Sequence, residues 1–144
     1  MTDKEQAYSD FIDGLNLRHF KGSEFIAYAR RTNSGGKAGV PPKTKWKNIV
    51  PTLQVLDQLR AHFGKSISLT SIYRAAGYNR ACGGAAMSQH KEFTACDIQV
   101  SGKSPGRVFA TLLEWRDAGV FKGGLGKYAT FVHIDCRGRN ATWG

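Results

Sequence analysis

The chain has 144 residues, enough for one domain that buries a core without disulfide or metal staples, and no apolar run approaches the ~20 residues that span a bilayer. Twenty-one Lys and Arg against eleven Asp and Glu leave a formal charge of +10, which attracts polyanions through long-range electrostatics. Three cysteines, an odd number, argue against a disulfide framework and fit a reducing compartment, with the thiols serving as small core residues. The N-terminus, MTDKEQAYSD, is polar and partly acidic, so synthesis in the cytoplasm without a cleavable signal is expected, and no membrane association.

In chain order, GSEFIAYARR (residues 22–31) reads as a short helix with Ser23 as N-cap and basic residues in its last turn. The Gly-, Pro- and Lys-rich stretch 33–47 has no period and reads as an irregular exposed loop. From Pro51, PTLQVLDQLRAHFG sets Leu53, Leu56, Leu59 and Phe63 on one apolar stripe and stops at Gly64, which predicts a core helix. KSISLTS alternates Ile67 and Leu69 with hydroxyl residues, a half-buried strand. After the Gly-rich turn ACGGAA comes TACDIQV, a strand carrying Asp97. A second helix starts at Ser104 and Pro105, places Val108, Leu112 and Trp115 on one face and ends near Gly119. TFVHIDC (residues 130–136) is the last strand. With no βαβ rhythm and no repeat, the fold class expected is α+β: a small antiparallel sheet packed against helices in a single domain, residues 1–144.

The basic residues fall in separate patches (RHFK, KTKWK, RGR, KGGLGK) without a nucleic-acid reader motif. Nucleic acid and the bacterial cell wall both suit the net charge, and no specific nucleic-acid partner is expected. The chemistry is concentrated elsewhere. His90 lies in a polar stretch with no hydrophobic period to explain it, Asp97 follows on one strand, and His133 stands on another. Two imidazoles and a carboxylate match the three-ligand sites of catalytic zinc, where water completes the shell. Spacing alone does not separate this from a surface pair or a structural histidine.

At these residues the sequence resembles the zinc D-Ala-D-Ala carboxypeptidase family of murein peptidases, whose pattern is S-x-H, six residues, D, then a distant H. Ser88, His90, Asp97 and His133 fit it in order. TSIYRAAGYNRACGGAAMSQH resembles the family's lead-in, and GGLGKYATFVHIDCRGRNATW resembles the close of its short endopeptidase branch, as in phage endolysins. The resemblance runs from about residue 48 to the end, with residues 1–47 contributing a helix and a loop. It implies one zinc per chain held by His90, Asp97 and His133. It also implies that Arg74 holds a substrate carboxylate or carbonyl, and that Ser88 orients His90 or lines the site. Trp143 is expected to pack the C-terminus against the domain.

Two departures stand out. Phe93 replaces the usual glycine three residues after the first histidine, so the loop there is expected to differ. Thr130 and Phe131 occupy positions where relatives carry an acid or a histidine as general base. Asp135 shares a strand face with His133 and is the best candidate proton acceptor, with orientation of that histidine the equal alternative and Glu92 a third possibility. Cys96 and Cys136 alternate away from the metal face. The resemblance implies hydrolysis of a peptide bond in peptidoglycan stem or cross-link peptides by a monomeric phage or prophage lysin, acting on the wall after release or as a virion component. Carboxypeptidase and endopeptidase action stay open. The rival is a non-catalytic cell-wall or polyanion-binding module on the same fold.

Overall fold

Pro51 in the first turn and Gly64 in a left-handed C-cap (φ 64°) bound helix Val50–Phe63 in the computed structural model, which describes residues 1–144. The elements in order are α1 (Asp3–Asp13), α2 (Gly22–Ala29), β1 (Thr32–Asn33), β2 (Gly36–Lys37), a 3-10 helix (Lys43–Ile49), α3 (Val50–Phe63), β3 (Ile67–Ser71), α4 (Ala76–Ala81), β4 (Ala95–Val100), α5 (Pro105–Asp117), β5 (Gly124–Lys127), β6 (Val132–Asp135) and β7 (Ala141–Trp143). Helix α5 begins as expected, with the Ser104 hydroxyl accepting from Arg107 N at 3.2 Å ahead of Pro105. The fold class is α+β.

The main sheet has the order β3-β4-β6-β5-β7. It is antiparallel except at one edge, where β7 runs parallel to β5, so the expected antiparallel sheet is mixed. The chain leaves β6 at the sheet's interior and passes over to the far side of β5, and that return sets the direction of β7. One face of the sheet carries Cys96, Ile98, Val100, Leu125, Val132 and Ile134, all buried, and α5 packs on it. Arg116 of α5 reaches the edge strand, donating to the carbonyls of Gly123 and Ala141 at 2.9 Å each and to the Thr142 hydroxyl. The opposite face carries Asp97, His133 and Asp135, following the period-2 alternation of strand side chains.

Residues 1–47 are part of the same core. Tyr8, Ile12, Phe25, Ile26 and Trp46 belong to one hydrophobic cluster with Leu53, Leu56 and Leu59 of α3. Helix α1, which is not among the expected elements, carries a capping box, Thr2 with Glu5. In α2 the cap is Lys21 rather than Ser23: the Lys21 N–H donates to the Glu24 carboxylate at 2.9 Å, which moves the cap two residues earlier. Stretch 33–47 is neither wholly irregular nor wholly exposed. It holds the β1–β2 hairpin and most of the 3-10 helix, pinned by Trp46, which is 7% exposed and donates Nε1–H to the Pro41 carbonyl at 2.9 Å. Two-residue strands and a 3-10 segment leave no periodic run to detect. Of the three free cysteines only Cys96 is buried; Cys82 is exposed and Cys136 half-buried.

Phe93 closes the tight turn that carries His90. Its φ is 58°, a left-handed backbone that costs a residue with a side chain roughly 1–2 kcal/mol. Burial compensates: the ring is fully buried, edge-on to Tyr8 and Tyr73 at 5.9 and 6.2 Å. Truncating it to Ala is expected to destabilise the chain by about 3–5 kcal/mol in urea denaturation. Phe93→Gly should be the more stable of the two variants by about 1 kcal/mol, reversing the usual order, because glycine adopts this φ freely. Equal stabilities would show that the backbone at position 93 carries no strain.

Candidate metal centre

The sheet register assembles the site. Ser71 pairs with Asp97, Asp97 with His133, His133 with Gly126, and Gly126 with Trp143, a single row crossing all five strands. A bulge between Leu69 and Ser71 brings Ser71 into that row. His90 arrives from outside the sheet, on the turn between α4 and β4. Its backbone N–H donates to the Ser88 hydroxyl at 3.2 Å, and its carbonyl accepts from Arg74 N at 3.2 Å. Ser88 thus braces His90 and also lines the cavity above it.

The hydrogen bonds around the two histidines dictate their tautomers. His90 Nδ1 lies 2.7 Å from the Ile72 carbonyl, which can only accept, so Nδ1 carries the proton and a neutral ring has a bare Nε2. His133 Nε2 donates to Asp135 Oδ2 at 2.7 Å, which leaves Nδ1 bare. Both bare nitrogens face the same oxygen, Asp97 Oδ1, each at 3.1 Å. His90, Asp97 and His133 are 3%, 4% and 6% exposed, and their ligand atoms all lie within 4.8 Å of one another. Converging lone pairs in a buried setting call for a positive charge, either protons or a cation. The titration behaviour has the same origin. Burial alone would raise the Asp97 carboxyl, but hydrogen bonds and charge from His133 and His90, where their facing nitrogens carry protons, outweigh it and hold its pKa well below the ordinary value. Burial likewise disfavours a charged His133, yet the Asp135 and Asp97 carboxylates raise its pKa above that of a free imidazole.

Asp135 stands behind His133 and away from the cavity. Fully buried, it has both oxygens occupied: Oδ1 accepts from Gly124 N, Arg137 N and Arg137 Nε at 3.0, 3.1 and 2.9 Å, and Oδ2 accepts from His133 Nε2 and Arg137 Nη2 at 2.7 and 2.8 Å. Burial opposes its ionisation, but the bonds from His133, Arg137 and Gly124 N keep its pKa well below the ordinary range. Glu92 is exposed, 3.6 Å from Lys45 Nζ, and lines an adjoining groove rather than the cavity. Arg74 does line the cavity. Its Nη2 is 3.5 Å from Asp97 Oδ2, while Ser71 Oγ and Asn79 Oδ1 hold Nε and Nη1 at 2.9 and 3.3 Å.

Several participants were not read from the sequence. Arg137 belonged to what looked like a surface patch, RGR, yet it fixes Asp135 and lines the cavity. Trp143 goes beyond packing the C-terminus: its ring sits 5.0 Å from that of His133, and its Nε1–H donates to the Tyr128 hydroxyl at 2.9 Å. Tyr128 in turn stacks on Phe131, centroids 4.4 Å apart, to form an aromatic wall. Gln89, given no role by sequence, also lines the cavity, and so does the exposed Cys82. The glycines of the quoted motifs make room for these groups. A methyl on Gly126 would overlap the Trp143 indole, one on Gly124 the Asp135 carboxylate, and one on Gly84 the Asn79 amide beside Arg74.

The cavity above the row measures about 490 Å³. Among comparisons with known proteins, no curated protein matches the chain. The family model for peptidase M15 matches residues 18–135, starting well before residue 48, where the sequence resemblance begins. That earlier start agrees with α2 and the 3-10 helix sharing the core of the site-bearing sheet. The match spans most of the length and encloses all three convergent donors, so the chain belongs to the peptidase M15 family.

Proposed function

We propose that the chain is a zinc-dependent peptidase that hydrolyses a peptide bond in peptidoglycan stem or cross-link peptides, in the role of a phage or prophage wall lysin. The observation that carries this reading is the pair of bare imidazole nitrogens, fixed by Ile72 O and Asp135, converging on one oxygen of Asp97. Two nitrogens and a carboxylate suit zinc, and three protein donors leave a position open for chemistry. His90 Nε2, Asp97 and His133 Nδ1 would hold the metal. When bound, zinc supplies Lewis acidity that polarises a carbonyl and makes water nucleophilic near neutral pH.

The remaining steps belong to the chain's own residues. Arg74, its guanidinium aligned by Ser71 and Asn79, would take a substrate carboxylate or the oxyanion that develops on the scissile carbonyl. Asp135 is a positioning residue: it fixes the His133 tautomer and ring plane, while Arg137 and Gly124 N saturate its other lone pairs. The +10 charge favours approach to an anionic wall.

A second reading, a metal-holding wall-binding module without turnover, draws support from one feature. Asp97 is the only carboxylate lining the cavity, which leaves no acidic side chain there to accept a proton. Release of soluble fragments from purified murein separates the two. The peptidase reading expects release that a chelator abolishes and zinc restores. Retention on murein without any fragments would establish the binding module instead.

Zinc loading is tested independently of turnover. The parent chain should hold about one equivalent by elemental analysis, and His90→Ala or Asp97→Ala should hold less than about a tenth while keeping the circular dichroism of the fold. Collapse of the fold in both variants would assign the metal a structural role.

Asp135→Asn should weaken zinc binding by about 10- to 100-fold, with activity recovered in excess zinc. If the variant instead retained zinc and lost a factor of about 10² to 10⁴ in turnover, Asp135 would be acting as the base.

A further inference from the structure

A second, shallower groove adjoins the metal-site cavity, and Gln89 and Arg137 line both, so the two form one trench. Arg74 lines only the cavity. Lys47, on the 3-10 helix, and Arg139, on the link between β6 and β7, line only the groove. The groove's charges are unevenly matched. Arg137 is neutralised by Asp135 at 2.8 Å, and the one carboxylate lining the groove, Glu92, faces Lys45 at 3.6 Å. Lys47 and Arg139 are exposed and have no acidic partner in the chain.

The backbone beneath both cations is pinned. On either side of Lys47, Trp46 Nε1 donates to the Pro41 carbonyl and Asn48 Nδ2 to the Glu92 carbonyl, each at 2.9 Å. On either side of Arg139, Gly138 N donates to the Lys122 carbonyl at 3.1 Å, and Asn140 Oδ1 accepts from Gly123 N at 3.1 Å. Neither cation's side chain contributes a hydrogen bond or ion pair to the fold, yet both are displayed from fixed backbone beside the metal site.

We propose that this groove is a second substrate subsite, which seats a free carboxylate of the peptide remote from the bond at the metal centre, with Lys47 and Arg139 as specificity-determining residues. The proposal rests on the peptidase reading for its substrate class. A peptide lying along the trench then meets Arg74 in the cavity and Lys47 and Arg139 in the groove. Selection between acidic and amidated forms of one peptide follows, because an amide offers these cations no charge.

The probes are two fluorescent murein stem peptides, identical except that the glutamyl α-carboxylate is free in one and amidated in the other. Anisotropy on the zinc-loaded full chain reads binding, and product analysis of the same samples reads cleavage. The parent is expected to bind the acid about 3- to 10-fold more tightly than the amide, the range for partly exposed charge pairs, with the preference shrinking as salt rises. In the double variant Lys47→Gln, Arg139→Gln, whose circular dichroism should match the parent's, the preference should disappear. Equal binding of the two peptides by the parent, or an undiminished preference in the double variant, would overturn the subsite. Preference for the acid without cleavage would leave the subsite standing and remove the peptidase reading. Cleavage without preference would do the reverse.

Discussion

The register between β4 and β6 is the constraint on which the site depends. Asp97 opposite His133 is one rung of a row that also contains Ser71, Gly126 and Trp143. Strand side chains alternate faces, so a slip of β4 by one residue against β6 would turn Asp97 into the apolar layer, away from His133, and bring Cys96 and Ile98 out. The core opposes that slip. Cys96, Ile98, Val132 and Ile134 are almost wholly buried on the other face, and exposing them would forfeit much of the sheet's hydrophobic stabilisation. The same packing that stabilises the sheet therefore sets the distance between two of the three donors.

Around that row lies a layer whose task is orientation. A buried carboxylate with spare lone pairs is costly, and Asp135 avoids the cost by filling both oxygens with Gly124 N, Arg137 and His133. Glycine at 124 and 126 is a steric requirement, since any side chain there would displace Asp135 or Trp143. Arg116 ties β7 to its neighbours from the opposite side of the sheet, which holds Trp143 over His133. Removing one member of this layer loosens a donor without deleting it.

Charge is distributed with comparable economy. The half-buried cations and buried anions at the candidate metal centre are matched to one another, Arg74 with Asp97 and Arg137 with Asp135. The excess of positive charge lies outside, where it can act on a polyanion at long range and, at Lys47 and Arg139, beside the trench.

Sequence by itself determined the features whose causes are local. Pro51 and Gly64 bound α3, and Ser104 with Pro105 starts α5, because capping and backbone preference act within a few residues. The order of Ser88, His90, Asp97 and His133 named the donors that the fold brings together. Elements too short or too glycine-rich to carry a period escaped it: the β1–β2 hairpin, α4, β5 and β7. Helix α1 escaped it as well, although its Thr2–Glu5 capping box is a local signal, and α2 starts ahead of Ser23 because the Lys21 N–H meets the Glu24 carboxylate. Tertiary structure alone decided what Asp135 and Arg137 do. Strand alternation put Asp135 on the same face as His133, but whether its carboxylate opens to the cavity or is enclosed depends on Gly124 from a neighbouring strand and on Arg137 folding back over it. Those contacts are fixed by strand order, which no spacing along the chain encodes.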